Sequence, residues 1–267
     1  AVILHDAEDL VHPMELVVFD KLIERASAIQ LPVIPLLDPE SRWVAGHYAD
    51  EFAESHGKEL VVREALGAAV PLAGVACAIA RDPFQKICDL HDGKPFSGDS
   101  QTEDYELGLR LGEIGHRGWF VRMAESIKGG GIVASQGHFP ASVDAAVRQK
   151  ARWIGGISFA GWDRLGWRGG LAERWFRYRD RRAPFAALLM VCGYVALLIW
   201  LQFAFARALG ADIAIRLSPS LTMLIWLNFL LLGWRLLMRF AFTAAHYGVA
   251  EGLRAIPRLL VANVIFI

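Results

Sequence analysis

The sequence predicts an α/β domain followed by interfacial and transmembrane α-helices. Up to about residue 161, short apolar runs alternate with amphipathic stretches, as strands and helices of one globular domain do. Beyond residue 183 the chain is almost wholly apolar and contains two long uncharged stretches. Arginines interleaved with aromatic residues separate the two parts. We therefore expect three regions, at residues 1–161, 162–183 and 184–267.

The apolar runs of the first region predict the strands. Residues 1–4, 29–37 and 73–80 are short and apolar, whereas residues 13–29 have helical spacing and residues 83–90 suit a helix. Strands that alternate with helices favour a largely parallel sheet, in which ligands gather at the carboxyl ends of the strands. Because the chain opens directly in a strand, we expect the domain to be incomplete at its N-terminal side.

Charge and cysteine content argue against a nucleic-acid partner and against a zinc site. The chain balances 28 basic against 28 acidic side chains, whereas a general nucleic-acid binder needs a basic surplus on one face. We therefore expect no nucleic-acid partner. The three cysteines, Cys77, Cys88 and Cys192, are far apart and form no C-x-x-C pair, so they do not predict a zinc site.

The last region predicts membrane spans at about 184–206 and 217–236. At about 1.5 Å per residue, each stretch crosses or nearly crosses a hydrocarbon core of about 30 Å. The basic and aromatic segment 162–183 is typical of an interface with anionic lipid, although an RNA-binding patch shows similar interleaving. The segment 240–258 is too polar to span and is expected at the interface, and 259–267 is expected to begin a further span.

The loop between the two predicted spans determines the expected orientation. It holds only Arg207, Asp212 and Arg216, whereas the segments before the first span and after the second contain more arginines. The positive-inside rule then places the globular domain in the cytoplasm.

The motif His5-Asp6-Ala7-Glu8-Asp9 follows the first predicted strand. In an extended segment Asp6 and Glu8 project to the same side, as two carboxylates that share one hard cation must. Asp9 would point away. An acidic cluster after a strand is, taken alone, more often a solvated turn than a metal site.

The second motif is Thr102-Glu103-Asp104. Ser100 and Glu103 match the S-x-x-E pattern of a capping box, which is a purely structural explanation. However, Asp104 shares helical spacing with three apolar residues and would face inward near the helix start, where a carboxylate can act as a general base. Burial would raise its pKa and the helix N-terminus would lower it, and the sequence leaves both outcomes open. The three apolar residues are Leu107, Leu111 and Ile114.

The third motif lies in a helix expected at residues 143–154. Gln149, Arg152 and Trp153 are at positions i, i+3 and i+4 and so share one face. Arg152 and Trp153 would either anchor this helix at a bilayer surface or bind a diphosphate and a sugar ring, respectively.

The order of the three motifs, followed directly by the interfacial segment and the spans, resembles the processive family 2 glycosyltransferases, which include cellulose and hyaluronan synthases. HDAEDLVHP, DEFAESHGKELVVREAL, TEDYELGLRL and VRQKARWIGGI are most similar to the bacterial phage adsorption protein B subfamily. The resemblance covers most of the chain. It implies a GT-A-type, Rossmann-like glycosyltransferase domain, and the family's earlier uridine-binding segment is not found in this sequence.

The resemblance also implies roles for particular residues. Asp6 and Glu8 correspond to the family's D-x-D motif, with Glu8 in place of the commoner second Asp, and would hold Mg²⁺ or Mn²⁺ against a nucleotide diphosphate. Asp104 corresponds to the catalytic base, with Glu103 beside it. The residues expected to bind substrate are Thr102, Gln149, Arg152, Trp153 and Gly74.

The implied function is inverting transfer of a sugar from a nucleotide-sugar, UDP-linked by resemblance, to a growing surface polysaccharide. The enzyme would be a multi-pass protein of the bacterial inner membrane, in contact with lipid and with an outer-membrane export partner. Two alternatives stay open: a non-processive transferase acting on a lipid-linked acceptor, and an inactive membrane scaffold of the same fold.

Overall fold

A computed structural model describes residues 1–96, 98, 100–125, 131–212 and 217–267. The strands within these ranges are β1 (Val2–Leu4), β2 (Ala28–Gln30), β3 (Val33–Pro35), β4 (Cys77–Ile79), β5 (Gly118–Phe120) and β6 (Ser135–Gly137). The α-helices of the globular part are α1 (Glu15–Leu22), α2 (Val44–Glu54), α3 (Leu60–Ala65), α4 (Arg81–Asp89), α5 (Glu103–Glu113) and α6 (Val143–Ile154). Those that follow are α7 (Gly161–Leu165), α8 (Leu171–Arg181), α9 (Ala183–Ala208), α10 (Pro219–Tyr247) and α11 (Val249–Phe266). Short π-helical segments, Ser55–Glu59 and Gly155–Ala160, extend α2 and α6.

The larger sheet is mixed rather than largely parallel. Its strand order is β1-β4-β2-β5, and β4 runs antiparallel to both of its neighbours, whereas β2 and β5 are parallel. A separate parallel pair joins β3 to β6. The expectation of a largely parallel sheet was therefore wrong, because the predicted elements do not show where a strand is inserted into the sheet or in which direction.

Helices cover both faces of the larger sheet. On one face, Val18 and Phe19 of α1 pack with Ile29 of β2 and Ala78 of β4. On the other face, residues from the same two strands pack against α4 and α5. These residues are Ala28, Cys77, Ile79, Ile87, Leu107 and Leu111. The alternation of neighbouring residues between faces is the period of two expected for a strand buried on both sides.

The predicted strand 29–37 is two strands in two different sheets. The backbone leaves the first sheet after Leu31, whose N–H donates to the carbonyl of Ala76 at 2.9 Å, and β3 begins at Val33. Pro32 stands between them and has no N–H to continue the ladder. The helix predicted at 13–29 ends at Leu22 because Ala28 already belongs to β2, whereas the helix predicted at 143–154 is confirmed as α6.

Among the residues that the structure describes, two helices are long and apolar enough to cross a membrane. They are α9, with a mean hydropathy of 2.2 over its best window, and α10, with 1.7. None of either window is buried within the chain, so neither is the core helix of the globular domain. This supports the predicted spans, although α10 continues beyond residue 236 to Tyr247. Residues 213–216, which include the predicted loop residue Arg216, lie outside the described residues.

The end of α10 and one side of α11 pack against α2 of the globular domain. Buried Asp50 of α2 accepts hydrogen bonds from Thr243 of α10 at 3.1 Å and from Arg258 of α11 at 2.9 Å. The predicted interfacial segment 240–258 is thus divided between α10 and α11. Residues 259–267 form the last part of α11, whose Leu259, Ala262 and Ile265 are buried.

The arginines of segment 162–183 do not form one lipid-facing row. Arg177, which is 1% exposed, bonds to Glu173 and Glu113, and Arg164 and Arg179 bind Glu106 and Glu59. Arg168, Arg174 and Arg182 are exposed, whereas Arg181 is buried. The sequence predicted a belt, but carboxylates of the globular domain turn part of it inward.

Candidate active site

Several candidate residues meet at one edge of the larger sheet. Leu4, the last residue of β1, and Gln30, the last residue of β2, both pair with Cys77, the first residue of β4. The turn after β1 and the loop before β4 therefore lie side by side. The antiparallel insertion of β4 thus brings together the acidic motif and residues 73–76.

Gln30 holds the loop 73–76 in place. Its side-chain carbonyl accepts a hydrogen bond from the N–H of Ala73 at 2.8 Å, and its amide donates to the carbonyls of Val75 and Ala76 at 2.9 and 3.3 Å. Gln30 is fully buried. These bonds support a loop in which Gly74 and Ala76 have φ of 75° and 52°, a left-handed region that is unfavourable for alanine.

Gly74 faces Asp104 directly. A Cβ on Gly74 would lie 3.1 Å from Oδ2 of Asp104 and 3.6 Å from its Cγ. The glycine therefore leaves the space that the carboxylate occupies, in addition to adopting the positive φ. The predicted association of Gly74 with the site thus has a definite geometry, and the loop that Gln30 fastens forms one wall beside Asp104.

Burial dominates the pKa of Asp104. Its side chain lies in the first turn of α5, with Leu107 and Leu111 continuing the inward stripe into the core as expected. Burial and the neighbouring Glu103 raise its pKa to about 6, although the N–H of Tyr105, which donates to Oδ1 at 2.8 Å, and the charge of Arg152 lower it. The sequence left open whether burial or the helix N-terminus has the larger effect on this pKa, and the effect of burial is the larger.

The start of α5 differs from a capping box. Thr102, not Ser100, is the N-cap residue, and its side chain makes no capping hydrogen bond with the described residues. The Ser100 hydroxyl instead donates to Glu106 at 2.7 Å. Glu103 is exposed, and its negative charge raises the pKa of the neighbouring Asp104.

Thr102 links α5 to the segment that follows α6. A Cβ on Gly156 would lie 2.5 Å from the hydroxyl oxygen of Thr102, so the glycine permits close contact between the second motif and the π-helical segment. Thr102 is 4% exposed, and its hydroxyl has no hydrogen-bond partner among the described residues. The second and third motifs are therefore packed together at this point.

The three α6 candidates have different surroundings. Arg152 is exposed, but its charge is near enough to lower the pKa of Asp104. Trp153 is half-buried and packs edge-on against Tyr48 with 6.2 Å between ring centroids, and the Lys150 ammonium lies 4.8 Å from its ring centroid. Gln149 is also half-buried, and within the described part of the chain its Oε1 accepts no hydrogen bond.

The acidic motif is a turn and not an extended segment. The N–H of Asp9 donates to the carbonyl of Asp6 at 3.2 Å, and Asp6 and Glu8 are both exposed. The argument that extended geometry aligns their carboxylates was therefore wrong. Among the described residues no group of three or more His, Cys, Asp or Glu side chains could hold a metal ion. Two exposed carboxylates nevertheless offer the hard oxygen donors that Mg²⁺ and Mn²⁺ prefer, and substrate phosphates can supply further oxygen ligands.

The neighbouring carboxylates are turned inward. Glu15 is fully buried with Oε1 2.8 Å from Nε2 of His5, and burial raises its pKa. Asp9 lies near the same histidine, with Oδ2 3.9 Å from Nδ1 of His5, and burial raises its pKa also. His5 thus ties the turn to α1.

Sequence patterns missed two groups that support the site. Gln30 is one, because a single glutamine at the end of an apolar run has no recognisable motif. The other is Tyr105, whose hydroxyl donates to Asp180 of α8 at 2.7 Å, while Asp180 also pairs with Arg63 of α3 at 2.8 Å. This group fastens α5 next to Asp104.

Comparisons with known proteins agree with the motifs. The model of the family described as "Glycosyl transferase family group 2" matches residues 1–266. Bacteriophage adsorption protein B of Escherichia coli strain K12 is 36% identical over 285 aligned residues, which cover 98% of this chain and 38% of that protein. Bacteriophage N4 adsorption protein B of Escherichia coli O157:H7 matches with the same identity and coverage. The chain thus spans 38% of the length of these relatives.

Proposed function

Because the chain belongs to family group 2 of the glycosyl transferases, we propose that it transfers a sugar from a nucleotide-sugar to an acceptor hydroxyl with inversion at the anomeric carbon. Asp104 is the general base. The acceptor is a growing polysaccharide or a lipid-linked saccharide, and the donor is UDP-linked. The names of the relatives refer to bacteriophage adsorption, which is consistent with a product displayed at the cell surface.

The observation that carries this proposal is the position of Asp104 at the sheet edge, beside Gly74. With a pKa of about 6, the carboxylate is mostly ionised near pH 7 yet remains basic enough to accept a proton. A solvent-exposed aspartate with an ordinary pKa would be the weaker base. Burial of this side chain is thus the property that suits it to the reaction.

In the proposed step, Asp104 removes the proton of the acceptor hydroxyl while the hydroxyl oxygen forms a bond to the anomeric carbon. The bond from that carbon to the diphosphate breaks, and the nucleoside diphosphate leaves with the electron pair. Arg152, which is exposed and close enough to influence Asp104, stabilises the charge on the leaving group. Trp153 and Gln149 of the same helix border the acceptor.

Asp6 and Glu8 are the residues that would hold Mg²⁺ or Mn²⁺. Both are exposed at the sheet edge where Asp104 lies, so a diphosphate could supply further oxygen ligands. A bound cation would neutralise charge on the diphosphate oxygens. The protein's own contribution is to present two carboxylates on a turn that His5 fastens to buried Glu15.

We further propose that the protein lies in the bacterial inner membrane, with its globular domain in the cytoplasm. The two unburied apolar helices, α9 and α10, support this location. Polymer export and an outer-membrane partner belong to the same proposal and rest on the family relationship alone.

Release of nucleoside diphosphate from a panel of UDP-sugars tests the proposal. Membranes containing the protein are compared with and without chelator, alongside Asp104→Asn and the control Asp20→Asn. Asp20 is an exposed aspartate of α1, so the control makes the same chemical change away from the site. We expect metal-dependent release that Asp104→Asn lowers by about 10²–10⁴-fold and Asp20→Asn leaves unchanged.

Equal release by Asp104→Asn and the unmodified protein would exclude Asp104 as the base. If no donor is turned over although nucleotide binds, an inactive scaffold of the same fold is the better explanation. Product length separates a processive enzyme from one that adds a single sugar to a lipid-linked acceptor.

A further inference from the structure

Arg181 is a buried cation with no hydrogen-bond partner among the described residues. It is the last residue of α8, two positions before α9 begins, and 3% of it is exposed. Its Nε, Nη1 and Nη2 atoms are all buried without a hydrogen-bond partner within the described part of the chain. A guanidinium has five N–H donors, and leaving a buried charged donor unpaired is costly. Within the described ranges, this guanidinium therefore has donors but no acceptor.

Arg177, one turn earlier on α8, shows how this fold satisfies a buried guanidinium. Its exposure is 1%, and its nitrogens donate to the Leu165 carbonyl at 2.7 Å, to Glu173 at 2.8 Å and to Glu113 at 3.0 Å. In the part of the chain that the structure describes, no such oxygen accepts from Arg181. The adjacent Asp180 already accepts from Tyr105 and Arg63.

Two tryptophans hold Arg181 instead. Its Cζ lies 5.6 Å from the ring centroid of Trp162 and 4.7 Å from that of Trp167. The rings are nearly perpendicular, at 81°, with centroids 5.2 Å apart. Cation–π contacts stabilise the charge but do not replace in-plane N–H acceptors. The two indoles thus position the guanidinium, and its buried N–H groups stay without an acceptor among the described residues.

The place of this group on the chain indicates the class of acceptor. Arg181 directly precedes α9, so in a bilayer it would lie at the level of the lipid headgroups. Trp162 and Trp167 are 39% and 38% exposed, so the two indoles that contact the guanidinium also reach the surface. A ligand would reach the buried nitrogens by displacing one indole. A phosphate group offers several oxygens that match the planar fork of an arginine.

We propose that Arg181, between Trp162 and Trp167, binds the phosphate group of an anionic membrane lipid. This inference rests on the proposed membrane location. The lipid would connect the end of α8 to the bilayer surface beside α9. Free inorganic phosphate has the same binding chemistry, and the experiment separates the two sources.

The test measures the Tm of the purified protein in neutral detergent. Palmitoyl-oleoyl phosphatidylglycerol, palmitoyl-oleoyl phosphatidylcholine or inorganic phosphate is added at matched concentrations. Arg181→Gln is compared with Arg182→Gln, which removes the same charge from the exposed neighbouring position. A ligand that binds the folded state raises Tm with its concentration. We expect phosphatidylglycerol to raise the Tm of the unmodified protein and of Arg182→Gln, and Arg181→Gln to lose most of that rise.

Each other outcome overturns the proposal. Equal phosphatidylglycerol responses of the two variants would indicate general attraction to negative charge. An equal rise with inorganic phosphate would identify a free anion as the ligand, and an equal rise with phosphatidylcholine would remove the need for an anion. Cell fractionation tests the proposed membrane location separately from the lipid site. A protein absent from the membrane fraction contradicts the location. If the protein is in the membrane fraction but Arg181→Gln keeps the full rise in Tm with phosphatidylglycerol, only this inference is contradicted.

A second variant keeps the test decisive if Arg181→Gln does not fold. Arg181→Met removes the charge and retains an apolar side chain of similar length. Without lipid, we expect it to raise Tm, because an unpartnered buried charge is replaced by an apolar group. A lower Tm without lipid would mean that the two tryptophans alone satisfy the guanidinium and that no ligand is required.

Discussion

Gly74 and Asp104 face each other at the sheet edge, where a Cβ on the glycine would lie 3.1 Å from the carboxylate oxygen. The two residues are 30 positions apart, and β4 and α5 bring them together through the loop that Gln30 fastens. The proposed base is therefore positioned by a loop conformation as much as by its own helix.

Gly74→Ala should lower kcat by about 10–100-fold, because small displacements of a catalytic group have large effects on rate. The added methyl group meets Asp104, and the φ of 75° is strained for alanine by about 1–2 kcal/mol. Gly115→Ala is the matched control, since Gly115 has a φ of 83° and nothing within 4 Å of its Cβ position. Steady-state kinetics of both variants check this prediction, and similar losses in kcat would point to backbone strain alone.

The pH dependence of turnover should follow Asp104. Because the base must be deprotonated, kcat/KM should decrease about tenfold per pH unit below about 6 and level off above it. A profile that stays level down to pH 5 would contradict the assignment.

Asp104→Asn should also make the protein more stable at pH 7. The pKa of Asp104 is raised from 3.8 to about 6 on folding, so ionisation of this group costs stability as pH rises through that interval. Removing the charge should add about 1–3 kcal/mol to the free energy of unfolding at pH 7 and little at pH 4. Thermal unfolding at the two pH values measures this difference, and a variant less stable at pH 7 would show that the carboxylate is favourably bound.

Gln30→Met should lower kcat more than it changes KM for the donor. Methionine has a similar size but leaves the N–H of Ala73 without its acceptor, which costs about 1–3 kcal/mol. The loop beside Asp104 then loses its support. Gln85→Met is the control, because Gln85 is exposed on α4 and bonds to Asp89. Kinetics well below the Tm of the variant are required, and unchanged kcat there would limit Gln30 to a role in stability.

The pair Asp50–Arg258 should determine how firmly α11 is held on α2. Their side chains are 2% and 1% exposed, and burial raises the pKa of Asp50 to about 7 although Arg258 lowers it. Arg258→Met removes the guanidinium that pairs with this buried carboxylate and should destabilise the protein by about 3–5 kcal/mol near pH 8. Because the pKa of Asp50 is raised on folding, protonation favours the folded state, and the loss should shrink as pH falls below 7.

Thermal unfolding of Arg258→Met at pH 8 and pH 5 measures this effect. Arg254→Met is the control, because Arg254 is partly exposed and pairs with the same Glu251. A loss that does not depend on pH would indicate packing rather than charge.

The proposed metal requirement should depend on Asp6 and Glu8. Glu8→Gln or Asp6→Asn should raise the Mn²⁺ concentration for half-maximal turnover by about tenfold or more, because each removes one hard anionic ligand. Glu24→Gln, at an exposed position of the same charge, should have no effect. Titration of Mn²⁺ into metal-free membranes checks this, and identical titration curves for Glu8→Gln and Glu24→Gln would remove Glu8 from the site.

The sequence by itself determined the family, the α/β character and the two apolar helices. The family match over residues 1–266 confirms the family that the three motifs indicated. Motifs identify a family because they are local, and a long apolar segment predicts a span from its length and composition. Helix α6 was also predicted at its observed bounds, since its side chains keep a helical period.

Only the tertiary structure decided the relationships between distant residues. The antiparallel insertion of β4, the position of Gly74 facing Asp104 and the pKa of about 6 all depend on which elements become neighbours. The turn at Asp6–Asp9 replaced the extended segment that the sequence favoured, and Arg177 turned inward to bind Glu113. The burial of a side chain and its hydrogen-bond and ion-pair partners depend on packing between segments far apart in the chain. Local sequence patterns do not contain that information.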